Sequence, residues 1–113
     1  MHELAVTQSV LEIVVRHAQR AQAARVTAIN LVVGELSGFV SESIQFYFDM
    51  VSQGTPAEGA ELRIRRVAAK VRCRACGTEF ATTDHRWVCP QCQAVGGQVL
   101  SGQEFHVESI EVV

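Results

Sequence analysis

Two pairs of cysteines constrain the fold of this chain more than any other feature of its sequence. Cys73 and Cys76 form one C-x-x-C motif, Cys89 and Cys92 form another, and 12 residues separate the two motifs. Four thiolates in two such pairs can surround one Zn²⁺ ion tetrahedrally, with the segment between them folded back as a hairpin. The spacing therefore predicts a zinc ribbon in which these four cysteines are the ligands.

The residues beside the cysteines favour two tight metal-binding turns. Gly77 follows the first motif, where a turn that directs backbone amides toward sulfur needs a positive φ angle. Pro90 lies inside the second motif and restricts its backbone. Two alternatives stay open at this point: a pair of disulfides, which would require an oxidising compartment, and a redox-active dithiol, for which one C-x-x-C would suffice.

Length, charge and hydropathy exclude several classes of protein. The 113 residues allow one domain, or a small core with a metal-held lobe, and the hydrophobic share of 48% is enough for a core. The formal net charge of −2 indicates neither a nucleic-acid nor a membrane role. The sequence has no apolar run long enough for a transmembrane helix and no signal-peptide pattern at its start. With the paired cysteines, this predicts a cytoplasmic protein.

Basic residues are concentrated in one part of the chain. Residues 60–90 contain 7 basic and 3 acidic residues, a local charge of +4. Such asymmetry can mark a partner surface, and a solvated strand edge would give the same pattern. The basic residues are Arg63, Arg65, Arg66, Lys70, Arg72, Arg74 and Arg86.

Apolar periodicity predicts two helices and three strands outside the cysteine segment. A helix from Glu3 to about Ala23 has apolar residues at three- and four-residue spacing, and a second from Ser41 to about Ser52 follows the same rule. Residues 25–33, 60–67 and 104–113 alternate as strands do. In the last strand the apolar phase shifts between Val107 and Ile110, which predicts either a bulge or a change of the buried face. The first helix's apolar stripe is Val6, Val10, Ile13, Val14, Ala18 and Ala21.

The order of these elements predicts an α+β fold. Two helices can cover one face of a small three-stranded sheet, and the last strand must return to that sheet after the cysteine segment. We therefore expect residues 1–67 and 103–113 to form one domain, with a zinc-ribbon lobe, residues 68–102, inserted into it.

The amino terminus could hold a second metal. The chain opens Met1-His2-Glu3, so the α-amine, the His2 amide and the His2 imidazole can chelate one ion, and the Glu3 amide can complete a plane. Square-planar nitrogen coordination is preferred by Ni²⁺ and Cu²⁺. Many chains begin Met-His by chance, so the motif by itself is not specific.

Taken together, these features resemble the HypA/HybF family of hydrogenase nickel-incorporation accessory proteins. The resemblance rests on the opening M-H-E, on V-T-A-I-N-L-V-V-G-E-L-S-G at 26–38, on residues 43–61, and on the two C-x-x-C motifs. It covers essentially the whole chain, and the combination of M-H-E with two C-x-x-C pairs at this length is its most specific part.

The resemblance implies a nickel metallochaperone and not an enzyme. Family members deliver Ni²⁺ to the large subunit of [NiFe]-hydrogenase, usually with the HypB GTPase, and some also serve urease maturation. By this resemblance His2 is the nickel ligand, with the backbone of Met1 and Glu3, and Glu3 also contacts the GTPase. The resemblance also assigns a structural Zn²⁺ to the four cysteines Cys73, Cys76, Cys89 and Cys92.

The other histidines are not predicted to bind metal. Some relatives have histidines beside the cysteine motifs, but here His85 lies inside the spacer, four residues before Cys89. His17 and His106 fit packed or surface positions. Two other functions stay open: a zinc-ribbon module that binds nucleic acid or protein, and a thiol oxidoreductase. Aromatic residues are only 6% of the chain, which disfavours nucleic-acid stacking. A homodimer that exchanges the last strand is a further alternative.

Overall fold

The computed structural model describes residues 3–82 and 87–113 and shows an α+β fold. Within these ranges, two α-helices and one short 3₁₀ turn accompany six strands. None of the helices in these two ranges is both long and apolar enough to cross a membrane. In chain order the elements are α1 (Glu3–Arg20), β1 (Val26–Gly34), the 3₁₀ turn (Glu35–Ser37), α2 (Ser41–Val51), β2 (Glu61–Val67), β3 (Lys70–Arg72), β4 (Glu79–Ala81), β5 (Gln98–Ser101) and β6 (Phe105–Val112).

The first sheet has the order β2-β1-β6. Strand β2 runs parallel to β1 because α2 carries the chain back across the sheet, whereas β6 runs antiparallel to β1. The last strand therefore returns to the first sheet, as predicted. The register shifts where Asn30 and Leu31 face Ser109 and Val107, so that Glu108 is the extra residue of a bulge. Of the two alternatives that the apolar phase of this strand predicted, the structure shows the bulge.

Both helices cover the same face of this sheet. Ile29, Leu31 and Val33 of β1 are fully buried beneath them, and Ile44 and Phe48 of α2 join the same core. Full burial of a side chain of this size contributes about 1.5–3 kcal/mol relative to exposure. The core also contains Val10, Val14 and Ala18 of α1.

The first helix departs from its prediction in two respects. It ends at Arg20 and not near Ala23, because Gln22 adopts a positive φ of 56° and a Schellman arrangement closes the helix. In that arrangement the Ala23 amide donates to the Ala18 carbonyl oxygen, at 3.0 Å. Ile13, predicted in the buried stripe, is 40% exposed and lines a groove beside the edge strand β6.

Ion pairs cover the face of the first sheet opposite the helices. Arg63 of β2 pairs with Glu111 of β6, and Arg65 pairs with Glu108 at 2.9 Å, so both pairs span the central strand. Residues Ala28 and Val32 of β1 are only 2% exposed, although neither α1 nor α2 lies on their side of the sheet. Arg66 and Arg72 also pair, with Glu35 and Glu79. Four of the seven basic residues of segment 60–90 therefore have acidic partners.

The cysteine segment forms a second sheet, of order β4-β3-β5. All pairings are antiparallel, and Val71 at the centre of β3 is fully buried. Strand β5 was not predicted, and the hairpin predicted between the two motifs includes residues 83–86, which lie outside the described residues. The two-domain division stays a prediction.

A backbone contact joins the two sheets at Gly34 and Gly102. The Leu36 amide donates to the Gly102 carbonyl oxygen at 2.6 Å, and the Gly34 amide donates to the Glu104 carbonyl oxygen at 2.7 Å. A Cβ atom on Gly34 would lie 2.0 Å from the Gly102 oxygen, and Gly102 itself has a φ of 112°. Only glycine allows the chain to pass this closely at Gly34.

Candidate metal centre

The four cysteine sulfurs converge at one end of the second sheet. All four lie within 4.8 Å of one another, with 3.5 Å between the sulfurs of Cys73 and Cys92 and 3.6 Å between those of Cys76 and Cys89. Around a tetrahedral Zn²⁺ with Zn–S bonds of about 2.3 Å, neighbouring sulfurs would lie roughly 3.8 Å apart. All four are free thiols. The spacing of the sulfurs thus fits a single four-thiolate metal centre.

The first C-x-x-C motif is a tight turn closed by backbone hydrogen bonds. The Cys73 amide donates to the Thr78 carbonyl oxygen at 2.8 Å, and the Gly77 amide donates to the Cys73 carbonyl oxygen at 2.9 Å. Gly77 has a φ of 79°. The positive φ predicted for Gly77 is therefore confirmed.

The second motif repeats this geometry without a glycine. The Cys89 amide donates to the Ala94 carbonyl oxygen and the Gln93 amide to the Cys89 carbonyl oxygen, both at 2.9 Å. Gln93 follows Cys92 as Gly77 follows Cys76, and its φ is 64°. Sequence reasoning missed this position, although the alignment of one motif on the other would have pointed to it.

The centre is buried on one side and open on the other. Cys73 and Cys89, the first cysteines of the two motifs, are buried, whereas Cys76 and Cys92 are exposed. One thiol of each motif therefore packs into the ribbon, and the other faces solvent. A chelator would reach a bound metal from the side of Cys76 and Cys92.

The local environment shifts the pKa values of the metal-free thiols in opposite directions. The Thr78 hydroxyl, 3.1 Å from Cys76 Sγ, and then the Thr78 amide lower the pKa of Cys76 to about 6. The Cys76 amide is the main cause of the lowered pKa of Cys73. The Ala94 amide lowers the pKa of Cys92, but the Cys73 thiol, burial and the remaining thiols outweigh it and raise this pKa to about 12.

This distribution of pKa values is suited to a divalent cation. A first thiolate forms near neutral pH, whereas the negative charge that accumulates makes the last proton, on Cys92, hard to remove. A bound cation would remove that repulsion and displace the remaining protons. Thr78, which the sequence analysis did not single out, contributes to the cluster by its position two residues after Cys76.

The described residues contain no other cluster suited to a metal. Within 3–82 and 87–113, the four cysteines are the one group of three or more His, Cys, Asp or Glu residues that converges in this way. His17 is exposed on α1, and His106 is exposed on β6 opposite Val32. His85 lies outside the described residues, and so do Met1 and His2 of the predicted nickel site.

Only Glu3 of the predicted nickel site is described. It is the first residue of α1, and its carbonyl oxygen accepts a hydrogen bond from the Thr7 hydroxyl at 2.5 Å. The amides of the first helical turn have no acceptor inside the helix. The Glu3 amide nitrogen is therefore not engaged in the hydrogen-bond ladder of α1.

A small α+β domain with a four-cysteine ribbon defines a metal-binding protein. A family model described as "Hydrogenase/urease nickel incorporation, metallochaperone, hypA" matches residues 1–112. The chain belongs to this HypA family, which confirms the resemblance drawn from the sequence. Its members are metallochaperones for hydrogenase maturation and not enzymes.

Individual relatives match the chain over nearly its full length. A hydrogenase maturation factor HypA from Dehalococcoides mccartyi is 46% identical over 112 residues, which is 99% of this chain and 94% of the relative. The corresponding factor from Caldanaerobacter subterraneus subsp. tengcongensis is 43% identical over 116 residues, 99% of each chain.

Solved structures share the fold. The solution structure of the Ni metallochaperone HypA from Helicobacter pylori superimposes with a TM-score of 0.69 at 23% identity, covering 100% of this chain and 98% of the other. A second HypA solution structure superimposes with a TM-score of 0.72 at 23% identity, covering 100% of this chain and 97% of the other. The α+β prediction is thereby confirmed.

Proposed function

We propose that this protein binds Ni²⁺ at its amino terminus and delivers it for the maturation of [NiFe]-hydrogenase, while a structural Zn²⁺ is held by the four cysteines. The observation that carries the proposal is the family match, which spans residues 1–112 and so includes the Met-His-Glu opening. The convergence of four sulfurs elsewhere in the chain supports a second, separate metal.

The cysteine cluster is proposed as a permanent zinc site. Zinc would cross-link the two motifs and supply the positive charge that four thiolates require. Cys73, Cys76, Cys89 and Cys92 would be its ligands, and the Thr78 hydroxyl would stabilise the Cys76 thiolate. Among the described residues of the ribbon, Val71 is the largest fully buried apolar side chain. So small a core suggests that the ribbon depends on its metal.

The amino terminus is proposed as the nickel site. Ni²⁺, the cargo, would be held in a plane by the Met1 amine, the His2 amide, the His2 imidazole and the Glu3 amide. The availability of the Glu3 amide at the start of α1 supports this. Zinc gains nothing from a planar site, so the geometry would select against it. A chelate at a chain end can also be dismantled one ligand at a time, which suits a protein that must release its metal.

The partners proposed for delivery are a HypB-type GTPase and the large subunit of [NiFe]-hydrogenase, with urease maturation proteins as further recipients. The sequence contains no G-x-x-x-x-G-K-[ST] motif, so nucleotide hydrolysis would come from the GTPase. These steps are placed in the cytoplasm. A zinc-ribbon module for nucleic acid is less well supported, because Arg63, Arg65, Arg66 and Arg72 already have acidic partners.

Calorimetric titration of Ni²⁺ tests the nickel site. The protein should be zinc-loaded, untagged and have its native amino terminus, and it should be compared with His2→Gln. Glutamine is preferred to alanine, because a small second residue would permit removal of Met1. One-to-one binding that is lost in His2→Gln supports the proposal. Equal binding by the two proteins refutes the amino-terminal site.

A further inference from the structure

A groove between α2 and the edge strand β2 has no role in the proposed metal sites. It is lined on the helix side by Glu42, Gln45, Phe46 and Asp49, and on the strand side by Leu62 and Ile64. Strand β2 is the outermost strand of its sheet, and within 3–82 and 87–113 no strand pairs with its outer edge. The groove thus lies beside a row of backbone groups that could accept another strand.

The apolar part of the groove is centred on Phe46. Phe46 is 64% exposed, which makes it the most exposed aromatic residue of the described chain. The ring packs edge-on against Tyr47, with centroids 5.4 Å apart, so its orientation on the helix is supported. Leu62 and Ile64 alternate with Arg63 and Arg65 along β2, which places the two apolar side chains on the groove side. A partner side chain seated there would contact apolar surface from both elements.

The ends of the groove are acidic. Glu42 and Asp49 lie seven residues apart on α2, which is two helical turns or about 10 Å. Asp49 accepts a hydrogen bond from Gln45 at 2.8 Å, but no basic residue of the described chain forms an ion pair with either carboxylate. By contrast, the carboxylates on the open face of the same sheet are paired with arginines.

We propose that this groove binds an extended segment of a partner protein in which basic residues flank an apolar one. The segment adds to the outer edge of β2, its apolar side chain contacts Phe46 and Ile64, and its basic side chains pair with Glu42 and Asp49. Side chains two residues apart in a strand share a face and lie about 7 Å apart, so a basic-x-apolar-x-basic pattern spans the groove. This is the strand-addition mode of peptide recognition.

A second copy of this chain does not fit the groove. Two-fold pairing through β2 would bring the same helix of each copy to the seam, with Glu42 and Asp49 of one copy near those of the other. Like charges opposed in this way destabilise an interface. Charge complementarity therefore selects a basic partner over self-association.

The proposal is tested with two capped peptides of opposite charge. The basic peptide contains Lys-Thr-Ile-Thr-Lys and the acidic peptide Glu-Thr-Ile-Thr-Glu. Binding to the zinc-loaded full chain is followed by ¹⁵N chemical shifts, with the dissociation constant taken from the titration. The basic peptide should shift the amides of Leu62 and Ile64, and the acidic peptide should not. Absence of binding by the basic peptide, or equal binding of both, overturns the proposal.

Matched variants separate the groove from the rest of the surface. Asp49→Lys should weaken binding of the basic peptide about threefold to tenfold and strengthen binding of the acidic peptide. The reason is that a weak, exposed ion pair with the basic peptide is replaced by a repulsion. Glu12→Lys, the same charge change on α1, should have no effect. Phe46→Ser should weaken binding of the basic peptide about tenfold. Met50→Ser, at another exposed apolar position of α2 that does not line the groove, should leave binding unchanged.

Helical circular dichroism establishes that each variant is folded. Unchanged binding by folded Phe46→Ser overturns the proposal. Sedimentation of the chain alone provides a last check. A dimer that Phe46→Ser dissociates would show that a second copy occupies the groove and would also overturn it.

Discussion

Gly34→Ala should destabilise this protein by an amount that follows from a single contact. Gly34 has φ −78° and ψ 150°, angles that alanine adopts without strain, so the backbone conformation itself costs nothing. The added methyl carbon would lie 2.0 Å from the Gly102 carbonyl oxygen and 2.7 Å from the Gln103 nitrogen, whereas real Cβ contacts stay beyond 3.0 Å. The two segments must therefore separate by about 1 Å, in a packed interior that tolerates overpacking poorly.

That separation would break the two hydrogen bonds of this backbone contact. One runs from the Leu36 amide to the Gly102 carbonyl oxygen, and the other from the Gly34 amide to the Glu104 carbonyl oxygen. Each bond contributes about 0.5–1.5 kcal/mol net, and a buried group left without a partner costs more. We expect a loss of about 3 kcal/mol in the free energy of unfolding, slightly offset by the smaller freedom of alanine in the unfolded chain.

Urea denaturation of the zinc-loaded protein, followed by far-ultraviolet circular dichroism, measures this loss. Gly59→Ala is the matched control, because no atom lies within 4 Å of an added Cβ there and its φ of 77° is the sole source of strain. It should cost about 1–2 kcal/mol. If Gly34→Ala were as stable as the wild type, the close passage of the chain at Gly102 would be refuted.

Three further predictions concern the cysteine ribbon. Cys76→Ser should unfold the ribbon, so limited proteolysis should cut the ribbon and leave α1 and α2 intact. A ribbon that resists protease after zinc loss would contradict the structural role of zinc. Zinc affinity, measured by chelator competition, should rise with pH above about 6, by at least about tenfold per pH unit. The reason is that Cys92, with its pKa of about 12, must release a proton when it binds zinc. An affinity that does not change with pH would be inconsistent with that pKa. Gly77→Ala should lower the stability of the zinc-loaded protein, measured from melting curves, by about 1 kcal/mol. Gln93→Ala should leave the stability unchanged, because Gln93 already adopts a positive φ without being glycine. Equal losses in the two variants would contradict this difference.

The elements governed by local patterning were predictable. Each of the three strands of the first sheet begins and ends within a residue or so of its predicted bounds, because alternation of apolar residues reports directly which side of a strand is buried. The bulge at Glu108 was also visible, since an extra residue must shift the apolar phase. The convergence of the four cysteines followed from spacing, because a C-x-x-C turn brings two sulfurs to one side.

Features that depend on unusual local conformations were not predictable. The end of α1 relies on Gln22, and the second cysteine turn relies on Gln93, both at positive φ where glycine is the usual residue. The residue type of a glutamine does not signal that conformation, and only the alignment of the two cysteine motifs could have indicated it, at Gln93 alone. Strand β5 was missed because its four residues are too short to show a period and acquire their structure by pairing with β3.

The charge of a sequence segment does not by itself show the charge of the surface that the segment forms. Residues 60–90 carry a local charge of +4, which suggested a basic surface. Arg63 pairs with the nearby Glu61, but its second partner, Glu111, and the partner of Arg65, Glu108, come from β6, more than 40 residues later in the chain. The partner of Arg66, Glu35, lies before α2. Local counting could not include Glu108 and Glu111, because the sheet order β2-β1-β6 is what brings them near β2.

Native mass spectrometry of the untagged protein, after exposure to Ni²⁺ and removal of the excess, tests the two-site account most directly. The wild type should carry one zinc and one nickel ion, and His2→Gln should carry zinc alone. Cys76→Ser should lose zinc and retain nickel at the amino terminus. Nickel retained by His2→Gln, or nickel found in place of zinc, would contradict the separation of cargo and structural metal.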